Sequence, residues 1–201
     1  MKKRIAVLVS GGGTNLQALI DAQGKVLNSG EIVLVVSNAA GAYALERAKN
    51  AGVPGFAVSK KELGSQEAFE DGINALLAEY KIDLIVLAGF LSILSEDFTA
   101  RWPRRILNIH PSLIPSFCGQ GMYGLKVHEA ALEKGVKVTG ATVHFVNEIP
   151  DGGEILLQKA VEILPGDTAE VLQRRVMEQA EWLLLPQAAE MVSAEIVKER
   201  A

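Results

Sequence analysis

Short runs of uninterrupted apolar residues alternate along the chain with longer segments in which apolar positions recur every three to four residues. The runs are RIAVLVS (4–10), EIVLVVSN (31–38), DLIVLAG (83–89) and RILNIH (105–110). Each is rich in Ile, Val and Leu, and a strand that is apolar at successive positions is one buried on both faces, as in a parallel sheet. GFAVS (55–59) reads as a further, shorter strand. Between them NLQALIDA, YALERAKNAG and SQEAFEDGINALLAEYK gather Leu, Ile and Ala on one side at helical spacing. Strand–helix–strand repetition implies right-handed crossovers and predicts an α/β fold with a doubly wound, mostly parallel sheet. Past residue 135 the pattern changes. VKVTGATVHFVNE (136–148) and EILLQKAVEIL (154–164), joined through IPDGG, predict an antiparallel pair that extends the sheet. From Thr168 the chain reads as one long helix, which Pro186 is expected to bend or break. No repeat, low-complexity tract or linker interrupts this order, so residues 1–201 are expected to form a single domain.

Composition narrows the function classes. With 201 residues, 49% of them hydrophobic, the chain can bury one sizeable core. Its 20 basic and 24 acidic residues give a net charge of −4, which does not suit a nucleic-acid surface. Aromatic residues make up 5%, too few for a single-strand stacking platform. A single cysteine, Cys118, rules out an intrachain disulfide and agrees with a reducing compartment. The amino-terminal apolar run is only IAVLV, and no stretch approaches the roughly 18 residues that read as a membrane span. A cytoplasmic protein acting on small molecules, without nucleic-acid or membrane partners, is expected.

In an open parallel sheet, ligands bind outside the carboxyl ends of the strands. Three polar clusters fall at such ends: SGGGTN after the first strand, AGFLS after the fourth and NIHPS after the fifth. In the first, Gly12 and Gly13 let the backbone approach an anion closely, while Thr14 or Asn15 can cap the helix whose free N–H groups attract it. A tight turn without ligand would use the same residues. A dinucleotide fingerprint would want glycine where Leu16 stands, and an acid at the end of the second strand, which instead reads Val36-Ser37-Asn38. The Gly-Lys-Ser/Thr of a P-loop is also missing, so a small phosphomonoester fits best.

Asn108 and His110 share a face if the strand runs through them. A histidine exchanges protons near neutrality, and an asparagine amide can donate to a developing oxyanion. Asp151 in the PDGG turn is the best candidate by type to orient the imidazole and favour its charged form, although spacing alone does not unite residues 110 and 151. A structural histidine is the competing reading of His110.

RIAVLVSGGGTNLQALIDA, LAGFLSILS, NIHPSLIPSF and VKVTGATVHFVNEIPDGGEILLQ, in this order and spacing, resemble the phosphoribosylglycinamide formyltransferases, folate-dependent enzymes of purine synthesis. The resemblance covers nearly the whole chain and implies a formyltransferase fold with a Rossmann-like amino-terminal half. It implies Asn108, His110 and Asp151 as catalytic residues, with His144 as a further family histidine. Gly12, Gly13, Thr14 and Asn15 would hold the ribotide phosphate. Leu91, Ser92, Ile93 and Leu94 would line the folate site with Asn108. Glu181 would meet the ribose hydroxyls; the spacing before it is one residue longer than usual, which makes Glu178 a rival. Gln66 and Ser92 stand where family members often carry arginines for the folate carboxylates, so those contacts are expected to differ. Cys118 stands where a lysine is common, and no base is evidently paired with it.

The implied reaction moves the formyl group of 10-formyltetrahydrofolate, a co-substrate, to the amine of glycinamide ribotide, with no metal. A monomer or homodimer is expected. The rivals that share the N-x-H…D core are methionyl-tRNA formyltransferase, expected to add an RNA-binding domain and a basic surface, and formyltetrahydrofolate deformylase, expected to add a regulatory domain. A non-catalytic phosphometabolite binder would account for the glycine loop but not for Asn108, His110 and Asp151 together.

Overall fold

Strands β1 (Lys3–Val9), β2 (Gly30–Ser37), β3 (Gly55–Ala57), β4 (Leu84–Leu87), β5 (Ile106–His110), β6 (Val138–Phe145) and β7 (Ile155–Glu162) form one sheet, ordered β3-β2-β1-β4-β5-β6-β7. The computed structural model that shows this describes residues 1–199. The first five strands are parallel, β6 runs antiparallel to β5, and β7 antiparallel to β6. The antiparallel extension is therefore as the sequence predicts, and β3 is shorter than GFAVS suggested.

Period-two alternation in β1 divides the core. Ile5, Val7 and Val9 face one side with Leu16 and Leu19 of α1 (Thr14–Ala22) and Ala44 and Ala48 of α2 (Tyr43–Asn50). Ala6 and Leu8 face the other with Phe69, Ile73 and Leu77 of α4 (Gln66–Glu79), which follows the short α3 (Lys60–Leu63), and with Phe98 of α5 (Glu96–Ala100). Burial on both faces explains why the strand is apolar at every step. A further helix, α6 (Leu125–Lys134), joins β5 to β6 and was not singled out by the sequence pattern.

The carboxyl-terminal helix differs from expectation. It begins as α7 (Ala169–Val176), widens into a π turn at Met177–Glu181, and continues as α8 (Trp182–Glu199) without a break at Pro186. Proline costs a helix its hydrogen bond and crowds the preceding turn, about 3 kcal/mol in isolation. Here Leu184, Leu185, Ala188, Ala189, Val192 and Ile196 bury one face of α8 in the core, and that packing overrides the local penalty. A π turn accommodates one extra residue, which accounts for the longer spacing before Glu181.

Gly153 closes the turn between β6 and β7 against the backbone. A Cβ there would stand 1.8 Å from the Phe145 carbonyl oxygen. Gly153→Ala must therefore part the hairpin, and a destabilisation of at least about 1–3 kcal/mol is expected, the range of overpacked positions. Thermal unfolding should show it as a drop in Tm of several degrees, about 2–4 °C per kcal/mol for a chain of this size.

Candidate active site

The carboxyl ends of β1, β4 and β5 open into one cavity of about 540 Å³. It lies where the connections from β1 and β4 leave the sheet in opposite directions, the switch point at which open α/β sheets bind ligands. Gly12, Gly13, Thr14, Asn15, Leu91, Ser92, Ile93, Asn108, His110, Asp151 and Glu181 all line it. Gln66 and Leu94 do not. The Gln66 amide is bonded to Glu70 Oε1 (2.5 Å) and the Ile93 carbonyl (3.1 Å), so it pins the 91–94 segment from outside. Leu94 is buried in the core and reaches only a smaller adjoining cavity of about 110 Å³. Ser92 lines the main cavity, with its hydroxyl accepting from Asn38 Nδ2 at 2.7 Å.

At the glycine loop, Gly13 has φ 72° and a Cβ on it would lie 2.7 Å from that of Ala44, so only glycine fits. Gly13 itself is the N-cap of α1, with no side-chain cap; neither Thr14 nor Asn15 takes that place. Asn15 instead turns its Nδ2 to Glu181 Oε2 at 2.7 Å. Glu181 is buried, whereas Glu178 bonds the exposed Arg174 at 2.8 Å. The π turn thus aims the later glutamate inward.

Asn108 and His110 lie two apart on β5, opposite His144 and Thr142 of β6. His144 Nδ1 donates to the Phe145 carbonyl at 2.8 Å, since a carbonyl can only accept. In the neutral ring Nε2 therefore holds a lone pair, and Asn108 Nδ2 donates to it at 3.1 Å. That bond fixes the amide's orientation. The structure accordingly places His144 as the support of Asn108. His110 Nε2 likewise donates to the Phe117 carbonyl at 2.9 Å, which leaves Nδ1 as the titrating atom, 3.5 Å from Asp151 Oδ2. At that length Asp151 acts on His110 through charge more than through a closed hydrogen bond.

Burial lowers the His110 pKa; Asp151 and the Phe117 carbonyl raise it, and burial prevails. The sequence-based expectation that Asp151 lifts His110 holds for the direction of that one influence, not for the net result. Burial pushes the Asp151 carboxyl up, but the nearby His144 ring, the hydrogen bond from the Gly119 N–H and the His110 ring bring it below the usual range. Asp151 sits at φ 56° and takes the Gly119 N–H at 2.8 Å, tying the 111–124 loop to the β6–β7 turn. Cys118 in that loop bonds the Pro115 carbonyl through Sγ, and burial and Asp151 push its thiol up, so it is no nucleophile.

Two further buried groups titrate in opposite senses. Burial raises Glu181 to about 7, against the pull of Asn15. Burial lowers His128, with the charge of His110 adding to it, to about 4. Glu181 binds a proton in the fold that the unfolded chain releases above about 4.3, so its contribution is present at low pH and is lost as pH rises through about 7. His128 stays neutral where the unfolded chain takes a proton below about 6.5, so its contribution is lost as pH falls toward about 4. The two nearly cancel at about 3 kcal/mol each. Glu181→Gln should therefore uncover a stability that climbs by about 3 kcal/mol from pH 4.5 to 7, read by urea unfolding; a level profile would refute it.

The sequence reading missed His128, Gln173, Met177 and the Gly119–Gly124 backbone, all of which line the cavity. Gln173, Met177 and Glu181 share a helix face, a pattern that could have pointed to the first two. Nothing local marks His128 or the loop. Among the described residues no group of three or more His, Cys, Asp or Glu is disposed to hold a metal ion, and no helix is long and apolar enough to cross a membrane.

A family model described as formyl transferase matches residues 3–188, and the chain belongs to that family. The trifunctional purine biosynthetic protein adenosine-3 of Gallus gallus is 47% identical over 197 residues, 98% of this chain and 19% of that protein. The chain thus spans about a fifth of its trifunctional relatives. The phosphoribosylglycinamide formyltransferase of Haemophilus influenzae is 45% identical over 177 residues, 88% of this chain and 81% of that one. The crystal structure of glycinamide ribonucleotide transformylase 1 from Symbiobacterium toebii superposes with a TM-score of 0.89 at 42% identity, covering 96% of this chain and 89% of that one.

Proposed function

We propose that the chain is a phosphoribosylglycinamide formyltransferase, moving the formyl group of 10-formyltetrahydrofolate to the amine of glycinamide ribotide in a reducing, cytoplasmic setting. The observation that carries this is the meeting of Asn108, His110 and Asp151 with the glycine loop in one cavity. The N–H groups of Gly12 to Asn15, at the positive end of α1, suit a phosphate. Buried Glu181 offers its free oxygen to ribose hydroxyls. The Leu91–Ile93 wall suits the folate ring.

The substrate amine attacks the formyl carbon, a C–N bond forms and the carbonyl becomes an oxyanion. With its first N–H held by His144, Asn108 turns its second from a long contact to Asp151 Oδ1 (3.5 Å) to that oxygen. The proton leaving the amine passes to His110 Nδ1, where Asp151 balances the new charge, and from there, directly or through water, to the folate N10 as the C–N10 bond breaks. Every atom is accounted for: the products are the formylated ribotide and tetrahydrofolate.

The test is folate absorbance after mixing protein with 10-formyltetrahydrofolate, with and without glycinamide ribotide. Formyl loss only with the ribotide supports the transferase. Equal loss without it replaces this reading with a deformylase, and no loss in either case leaves a binding protein.

A further inference from the structure

His128 lies in the first turn of α6, is completely buried and lines the cavity. Neither of its ring nitrogens has a hydrogen-bond partner among the described residues. A buried imidazole with both nitrogens unmatched is unusual, because the water it gave up is not replaced. Asn15 is the other cavity-lining residue with such an atom, its Oδ1. The two belong to the same side. α6 packs on α7, which brings Gln173 to the cavity, and Asn15 is bonded to Glu181 on the π turn that follows. The folate wall, from Ala88 to Ile93, comes from a different element.

His110 has one acceptor atom for the amine, because its Nε2 is spent on Phe117 and only Nδ1 remains for the proton that leaves. The attacking amine, however, has N–H groups that need an acceptor if its lone pair is to turn toward the formyl carbon. An ammonium or guanidinium could not accept; a neutral imidazole can. With its pKa held near 4 by burial and by His110, His128 stays neutral through the working range.

We propose that His128 contacts the substrate, accepting a hydrogen bond from the amine of the glycinamide arm and so aiming its lone pair at the formyl carbon. This rests on the transferase reading above. It adds a residue to the amine side of the site and gives the accepting one of the two unmatched nitrogens its partner.

The test combines imidazole ¹⁵N shifts in the labelled wild-type protein with kinetics of His128→Leu and His128→Asn. Glycinamide ribotide alone should move the His128 nitrogen signals, and 10-formyltetrahydrofolate alone should not. His128→Leu fills the space without the unmatched polar atoms, so it should fold with a Tm equal to or above wild type. Its kcat/KM for the ribotide should fall about 10- to 100-fold, the usual effect of misplacing a reactant. KM for the folate should stay within threefold, and His128→Asn, whose amide oxygen can accept, should recover part of the loss. Unmoved nitrogen signals overturn the proposal, as does a His128→Leu rate within threefold of wild type. An equal loss in folate KM would mark a structural role and overturn it too. Because the shifts are read without turnover, a wild-type protein that fails to transfer formyl would count against the transferase reading separately.

Discussion

His110→Ala is expected to lower kcat for formyl transfer by about 10²–10⁴, the usual contribution of a positioned proton carrier. The structure explains why no neighbour should replace it. The two other histidines of the chain are committed or unsuited: His144 donates through Nδ1 to a carbonyl and holds Asn108 with Nε2, while His128 is neutral and too weak a base to carry the proton. Asp151 would keep the Gly119 N–H, Asn108 and His144 as neighbours, none of them able to carry the proton in place of His110. The fold should survive, since His110 ends a strand whose ladder to β6 is made by the backbone. Steady-state rates measured with both substrates saturating decide the matter; turnover within about threefold of wild type would remove His110 from the mechanism.

Asp151→Asn should cost nearly as much, about 10²–10³, for an electrostatic reason. The amide oxygen can still take the Gly119 N–H, so the loop keeps its tether and only the charge is lost. Without that charge the imidazolium formed at His110 Nδ1 has no counterion, and only the Phe117 carbonyl opposes burial. The His110 pKa should fall further, since Asp151 is the largest influence raising it. The acid limb of the pH–rate profile is thus expected to move to lower pH while the plateau drops. A limb that moves up, or a plateau that holds, would show that Asp151 does not act on His110 through charge.

Much of this was written locally. Continuous apolar runs marked β1, β2, β4 and β5 because strands covered on both faces leave no polar alternation. Their polar ends marked Gly12 to Asn15 and Asn108 with His110 because an α/β sheet exposes those ends together. The longer spacing before Glu181 was visible too, though only the π turn shows what absorbs the residue and why Glu181 and not Glu178 turns inward. The path of the helix through Pro186 was not visible, because a propensity describes an isolated helix and this one is held by its buried face.

What the sequence by itself determined is therefore the sheet, its antiparallel extension and the residue types at the strand ends, all properties of a few neighbouring positions. Tertiary structure alone decided that Asp151, 41 positions beyond His110, faces it at 3.5 Å, and that Phe117 and Gly119 lock the pair from the loop. It also decided that Gln66 stays outside the cavity while His128 enters it unmatched. The physical reason is range. Periodicity and capping act over a few residues, whereas the charge balance at an imidazole is set by whatever the fold brings within a few ångströms, and burial there outweighed the one partner the sequence could name.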